Sequence, residues 1–221
     1  KRPALAGWKD YQSRPPTEAE VAAWFANAHD ALCLVTGAVS GNLELIDFDN
    51  KGELFDRWAQ LVEAEMPGLM GRLVIESSQS GGWHVLYRSA IPVCGNVHLA
   101  QRAVPAADDA PVVIGGKTYK PRKNAAGAWE ITLTLIETRG EGGLFLCHPT
   151  PGYDMLQGQI EDLPLLTAEE RSVLLEAAWT LNVLVPAAVG VPTDPHPPEQ
   201  GERPGDALNQ RGDVVAILKQ H

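Results

Sequence analysis

The sequence predicts an α+β domain built on a mixed or antiparallel sheet. Three observations carry that reading. Short apolar or alternating runs of strand length recur along the chain. Stretches with apolar residues at helical spacing interrupt them. Their order is strands, a helix, then a run of strands. The 221 residues are 44% hydrophobic and 21% charged, enough for a sizeable core, so one large domain or one domain with a small appendage is expected.

Taken in order, Thr17-Glu18-Ala19-Glu20 has capping-box spacing, and Val21, Trp24, Phe25 and Ala28 continue it as a helix near 17–29. Ala31 to Thr36 reads as a short buried strand and Asn42 to Asp49 as a half-buried one, with a tight turn at Gly37 and Ser40-Gly41 between them. Lys51 to Met66 has helical spacing through Leu54, Phe55, Trp58, Leu61 and Val62, and Pro67-Gly68 closes it. Leu73-Val74-Ile75 begins a strand, residues 77–82 turn, and Trp83 to Tyr87 alternates again. A third β region runs from Trp129 to Ile136, turns at Gly140–Gly143 and continues from Leu144 to Cys147. Residues 105–128 lack periodicity and read as a long functional or mobile excursion. A helix opens at Thr167-Ala168-Glu169-Glu170 and runs to about Val185. Pro186 to Pro204 has linker composition, and a short helix is expected over Leu208–Gln220.

Composition removes several classes. No apolar run is long enough for a spanning helix, and no basic-then-apolar leader is present, so a protein away from the membrane is expected. The chain opens at Lys1 without a Met, which reads as an excised piece, and the linker implies more protein beyond His221. A net charge of −10 argues against a uniformly basic duplex-binding surface but leaves room for a local basic groove. Cys33, Cys94 and Cys147 form no CxxC pair, so they read as three buried thiols in a reducing compartment.

Four segments could carry chemistry. Ile46-Asp47-Phe48-Asp49 ends an apolar strand, and residues two apart on a strand share a face. Two adjacent carboxylates need a compensating cation and suit Mg²⁺ or Mn²⁺; a polar strand end accounts for so short a motif equally well. Ser80-Gly81-Gly82-Trp83-His84 is a turn whose backbone N–H groups and imidazole could meet a phosphate, or an ordinary hairpin turn with a packed His. Glu137 and Arg139 share a strand face, where the acid could complete a metal cage and the Arg could neutralise phosphate, or the two could form an edge salt bridge. Lys117, Tyr119, Lys120, Arg122 and Lys123 form a basic patch with one aromatic, fit for a nucleic-acid backbone or simply solvated. His29 and His98 read as helix-end or core residues, and His148 as a buried strand end without an acidic partner. No GxSxG elbow and no GxxxxGK[ST] loop occurs.

The order DxD, SGGxH, then a strand-borne acid resembles the archaeo-eukaryotic primase superfamily, and more closely the bifunctional primase/polymerase (prim-pol) N-terminal domains of phages, plasmids and mobile elements. Lys1-Arg2-Pro3 to Gly7-Trp8-Lys9 resembles the family's opening. Val35-Thr36-Gly37 through Ser40-Gly41 to Asp47-Phe48-Asp49 resembles its strand–turn–strand. Gly95-Asn96-Val97-His98-Leu99-Ala100 is similar to a GN-x-KLA segment, with His98 where relatives have Lys. Glu137 to Gly143, with Pro149 and Tyr153, resembles ETRGEGGY…PSPGY, with Leu144 for Tyr and Thr150 for Ser. Pro204-Gly205-Asp206 and Asn209 resemble the segment joining such domains to a helicase. None of these departures is expected to touch the acid cage.

The resemblance implies a primase-like catalytic core, an RRM-like half plus an α/β N-terminal half, over 1–160. A C-terminal helix at 161–185 would pack on it, and 186–221 would be a linker and the start of a following segment. It implies template-dependent nucleotidyl transfer, as DNA primase or DNA polymerase, with two metal ions on Asp47, Asp49 and Glu137. The nucleotide would meet Ser80, Gly82, His84 and Arg139. Single-stranded DNA template and nucleoside triphosphates are the expected partners, with a helicase domain in the full-length chain, in the cytoplasm of a bacterial or phage-infected cell. The competing readings are a non-catalytic single-strand-binding module attached to a helicase, and a metal-dependent nuclease.

Overall fold

The computed structural model describes residues 5, 7–26 and 31–184. The strands are β1 (Leu32–Val35), β2 (Leu43–Phe48), β3 (Val74–Ser77), β4 (Trp83–Ser89), β5 (His98–Pro105), β6 (Val112–Ile114), β7 (Lys117–Tyr119), β8 (Arg122–Lys123), β9 (Trp129–Arg139), β10 (Leu144–Cys147), β11 (Met155–Gln157) and β12 (Leu165–Leu166). The helices are α1 (Glu18–Trp24), α2 (Phe55–Glu65) and α3 (Ala168–Thr180). The main sheet runs β11-β3-β4-β2-β9-β5, with β8 on β9 and β12 beside the far end of β4. All its pairings are antiparallel except β12 on β4. The α+β class with a mostly antiparallel sheet is therefore present. No helix among the described residues is long and apolar enough to cross a membrane.

Each face of the sheet has its own core. On one, α2 and α3 bury Trp58, Val62, Leu174 and Ala178 against Ile46, Phe48, Val85 and Tyr87. On the other, β1 and β10 pair into a two-stranded ribbon that covers Leu43, Leu45, Val74 and Leu86 with Phe145 and Cys147. The ribbon covers only part of that face. One row further along β2 the sheet is open.

Several expectations need correction. The strand over 42–49 is not half-buried: its polar Glu44 is 1% exposed and lies under α3. A central strand with layers on both faces buries both, so alternation in the sequence misstates its surroundings. β1 is only partly buried and pairs with β10 rather than closing a simple hairpin on β2. The helix at 17–29 has its capping box but ends at Trp24, and Val21 and Phe25 are exposed; Ala28 and His29 lie outside the described residues. The excursion 105–128 contains β structure: β6 and β7 form a hairpin and β8 joins β9. Cys33 and Cys94 are exposed, and only Cys147 is buried, where desolvation pushes its thiol pKa up. Helix α3 has the expected capping box on Thr167 and Glu170 but stops at Thr180. The expected linker and last helix at 186–221 lie outside the described residues.

β5 was not foreseen as a strand, and its geometry shows why. The β5–β9 register shifts twice, around Leu99 and Leu135. Each shift sends two consecutive residues, Leu99-Ala100 and Leu135-Ile136, into the core. Past the bulges the alternation resumes with opposite parity. His98 and Gln101, and likewise Glu137 and Thr134, therefore share the open face despite their odd spacing.

Candidate active site

The register of five adjacent strands lines up a row of ionisable residues. Glu76 on β3 faces His84 on β4, His84 faces Asp47 on β2, Asp47 faces Glu137 on β9, and Glu137 faces His98 on β5. Directly opposed residues on an antiparallel pair project from the same face about 4.5–5.5 Å apart, so the row is continuous: its Glu76–His84 end is buried beside β10, and its Asp47–His98 end lies where the β1–β10 ribbon leaves the face open.

Asp47, Asp49 and Glu137 converge, each offering an oxygen within 4.8 Å of the others. Burial raises the Asp47 carboxyl above its usual pKa; Asp49 adds to the rise, and His84, Arg139 and Lys117 oppose it. Burial likewise raises Glu137, with Arg139 opposing and the two aspartates reinforcing. Cations already press on the cluster. Lys117 Nζ lies 2.6 Å from Asp49 Oδ1, and Arg139 pairs with Glu137 and approaches Asp47 to 3.6 Å. For Lys117, burial works against the charge, but the Asp49 hydrogen bond prevails and raises its pKa. Three hard oxygens from three carboxylates suit a Mg²⁺- or Mn²⁺-type ion.

His84 is buried and held on both sides. Its Nδ1 lies 2.7 Å from Glu76 Oε1 and its Nε2 lies 3.7 Å from Asp47 Oδ1. Glu76 is fully buried, and its other oxygen accepts the His148 N–H at 2.9 Å. The ring also packs edge-on against Phe145 and at a tilt against Tyr153. It cannot turn without breaking several contacts at once, so Nε2 is aimed at the acid cluster.

The glycine-rich turn earns its glycines from close approach. A Cβ on Gly82 would lie 2.2 Å from the Phe48 carbonyl oxygen, so only glycine lets β4 meet the end of β2. Ser80 reaches the far side of the cluster and lines a small pocket with Asp49, Lys51 and Lys117. That pocket borders a backbone turn in which Asn50 and Lys51 both have positive φ, a conformation that costs non-glycine residues on the order of 1–3 kcal/mol each and that collects at functional sites.

The basic patch divides in two. Lys117 belongs to Asp49, whereas Lys120, Arg122 and Lys123 line a separate groove of about 320 Å³ floored by β9. Tyr119 borders both spaces, half-buried between them. Lys117 and Tyr119 sit on β7 and Arg122 and Lys123 on β8, with Lys120 in the short connection between them.

Two residues of the row went unrecognised in the sequence as members of the site. Glu76 looked like the polar end of an apolar strand. Its signal was the hairpin, which turns at 78–82, pairs Ser77 with Trp83 and so sets residue 76 against 84. His98 was read as a helix-end or core residue remote from the cage. It is instead exposed on β5, with Nε2 3.7 Å from Glu137 Oε2. Asn96 accepts the Gly140 N–H and Thr138 accepts the Val97 N–H, which anchors the segment bearing His98 against β9. His148 is exposed, not a buried strand end, and its backbone has the acidic partner Glu76. Glu141 accepts the Ala38 N–H at 2.8 Å.

Comparison with known proteins identifies a family for the chain. The family model described as bifunctional DNA primase/polymerase, N-terminal, matches residues 1–166. No curated protein matches the chain.

Proposed function

The chain belongs to the bifunctional DNA primase/polymerase N-terminal family, and on that premise we propose that it performs template-directed nucleotidyl transfer, as a primase, a DNA polymerase or both. The observation that carries this reading is the convergence of Asp47, Asp49 and Glu137 beside an imidazole locked in place by a buried acid. Residues 1–160 would form the catalytic domain, its open antiparallel sheet being the RRM-like half of a primase-like core.

The three carboxylates would hold one or two Mg²⁺ or Mn²⁺ ions, whose chemistry is to acidify a 3′-hydroxyl and neutralise charge at the α-phosphate. The donor set fits: it is all oxygen, it is burdened by mutual repulsion, and Lys117 and Arg139 already lean on it as counter-charges. When a nucleotide arrives, Lys117 and Arg139 are within reach to move from carboxylates to phosphate oxygens. His84, oriented by Glu76, presents Nε2 to the same triphosphate. Ser80 borders the Asp49 pocket where a phosphate tail would lie. Positioning and charge then lower the barrier without a covalent enzyme intermediate.

The test is nucleotide incorporation on a single-stranded template with Mn²⁺ or Mg²⁺. Wild type is expected to extend or initiate a strand, and Asp47→Ala to abolish this while the protein remains folded. Undiminished incorporation by that variant would overturn the reading. DNA degradation without added nucleotide would favour phosphodiester hydrolysis at the same carboxylates.

A further inference from the structure

The groove beside the row points to a ligand of its own. Beyond the two bulges the open face continues along β9 as a channel floored by Thr132 and Thr134 and walled by Lys120, Arg122 and Lys123. Among the described residues, none of these three cations takes part in an ion pair. In a protein with a net charge of −10, unpaired cations on one wall are a local reversal of sign. The groove's acid, Glu130, is engaged by Asn124 Nδ2 at 2.8 Å. The wall is built, not draped: β8 pairs with β9, and Lys123 lies over the Trp129 ring at 5.1 Å.

His98 closes the channel at its inner end, 3.7 Å from Glu137. Gln101 ties His98 Nδ1 and Thr134 Oγ1 together at 2.9 and 3.1 Å, so the junction is held in one arrangement. The acid cluster therefore has two electropositive approaches. The Asp49 side offers Lys51, Lys117 and Ser80 around a strained turn. The Glu137 side offers the groove.

We propose that this groove binds the terminal segment of a single nucleic-acid strand with its 3′-hydroxyl end at His98, delivering the attacking group to the carboxylates while the triphosphate enters from the Asp49 side. The proposal deepens the nucleotidyl-transfer reading and rests on it for the identity of the reacting end. A phosphodiester chain is the ligand class because the wall supplies unpaired cations and the floor supplies hydroxyls, the donors that phosphate and sugar oxygens accept. About 320 Å³ is at the small end of ligand sites, about 300–1,000 Å³, so the groove seats one terminal nucleotide and leaves the rest of the strand outside. Reaction requires the hydroxyl within about 3–3.5 Å of the phosphorus, and of the two approaches the groove is the roomier.

The experiment uses the full chain and a fluorescent single-stranded oligonucleotide without added nucleotide. The variant Lys120→Ala/Arg122→Ala/Lys123→Ala is expected to bind it at least about 10-fold more weakly, with the slope of log affinity against log salt shallower by about 2. Its affinity for a non-hydrolysable deoxynucleoside triphosphate should match wild type. Equal oligonucleotide binding, or equal loss of both ligands, overturns the groove as a strand site. Because β8 lies within the substituted segment, wild-type protein supplies a second arm: oligonucleotides carrying a photoreactive group at either end. The 3′ label should attach within residues 98–101 or 130–134; attachment there by the 5′ label overturns the polarity. If wild type incorporates no nucleotide, the polymerase reading fails, while the binding and cross-linking results still decide the groove on their own.

Discussion

Glu44 and Asp47 lie three residues apart on the same strand, and on opposite faces of the same sheet. Glu44 is sealed under α3, where Arg171 grips both its oxygens at 2.6 and 2.9 Å and the Tyr87 hydroxyl donates to it at 2.7 Å. Burial and the neighbouring Glu44 charge hold Tyr87 neutral, while the hydrogen bond to Glu44 holds the Arg171 charge. Asp47 has no such partner. Its nearest nitrogen partners, on Arg139 and His84, stand at 3.6 and 3.7 Å, and two other carboxylates crowd it. A buried acid with every lone pair answered is a brace. One left short of positive charge is a site waiting for a cation.

The sharpest way to break that comparison is to neutralise Asp47. We expect Asp47→Asn to lower nucleotide incorporation on the order of 10³-fold and yet to raise thermal stability in EDTA. The sign follows from burial, which makes the folded state hold the Asp47 and Glu137 protons more tightly than the unfolded state. The stability they contribute is full below their unfolded pKa, about 4, and is lost as pH rises through the shifted value. The melting temperature of the variant should therefore exceed wild type by a margin that widens upward from about pH 4. A variant less stable than wild type at neutral pH would place Asp47 with the braces.

On the other face the outcome should reverse. Arg171→Met leaves the Glu44 carboxylate buried and unpaired, at a cost of about 3–5 kcal/mol, or a fall in melting temperature of about 10 °C for a domain of this size. Specific activity of the remaining folded protein should stay near wild type. A loss of activity as deep as that of Asp47→Asn, without the stability loss, would show that the two faces are not separable in this way.

The same contrast explains what could be seen in advance. Capping boxes at Thr17 and Thr167 are local, and both helices start where the spacing places them. Asp47 and Asp49 share a face because strand geometry requires it, and Glu137 and Arg139 likewise. What brings residues 47, 84 and 137 together is cross-strand register, which no local pattern encodes; only the motif order of the family suggested it. Glu44 was invisible as a buried group because its compensation comes from Arg171, far along the chain. His98 was hidden by the bulges at Leu99 and Leu135, which break the alternation used to find strands.

Glu76 sharpens the comparison, since it is a fully satisfied acid on the unsatisfied face. It touches no reacting group and acts through His84, which makes it a positioning residue. Glu76→Gln keeps the shape but weakens the grip on Nδ1, and incorporation should fall about 10- to 100-fold, as is usual when an orienting partner is removed. The loss should appear mainly in the nucleotide KM, because the imidazole it aims is assigned to the triphosphate. An equal fall with unchanged KM and a lowered melting temperature would mean that Glu76 serves only to close the core around His148.

The smallest effect tests the counter-charge itself. Lys117 is half-exposed, and an ion pair in such a setting is worth about 0.2–1 kcal/mol. Its removal nevertheless acts in opposite directions on the two ligands of the cluster. Without nucleotide, Lys117→Ala frees Asp49 and should tighten Mn²⁺ binding by about 1.4- to 5-fold, measured from the free-ion signal in electron paramagnetic resonance. With Mn²⁺ saturating, the same variant should bind triphosphate more weakly by a similar factor, because a phosphate donor is gone. Opposite signs are what a cation standing in for the metal and then passing to the substrate requires. If both affinities fell together, Lys117 would merely secure the β6–β7 hairpin, and the cluster would have less need of a borrowed charge than its carboxylates imply.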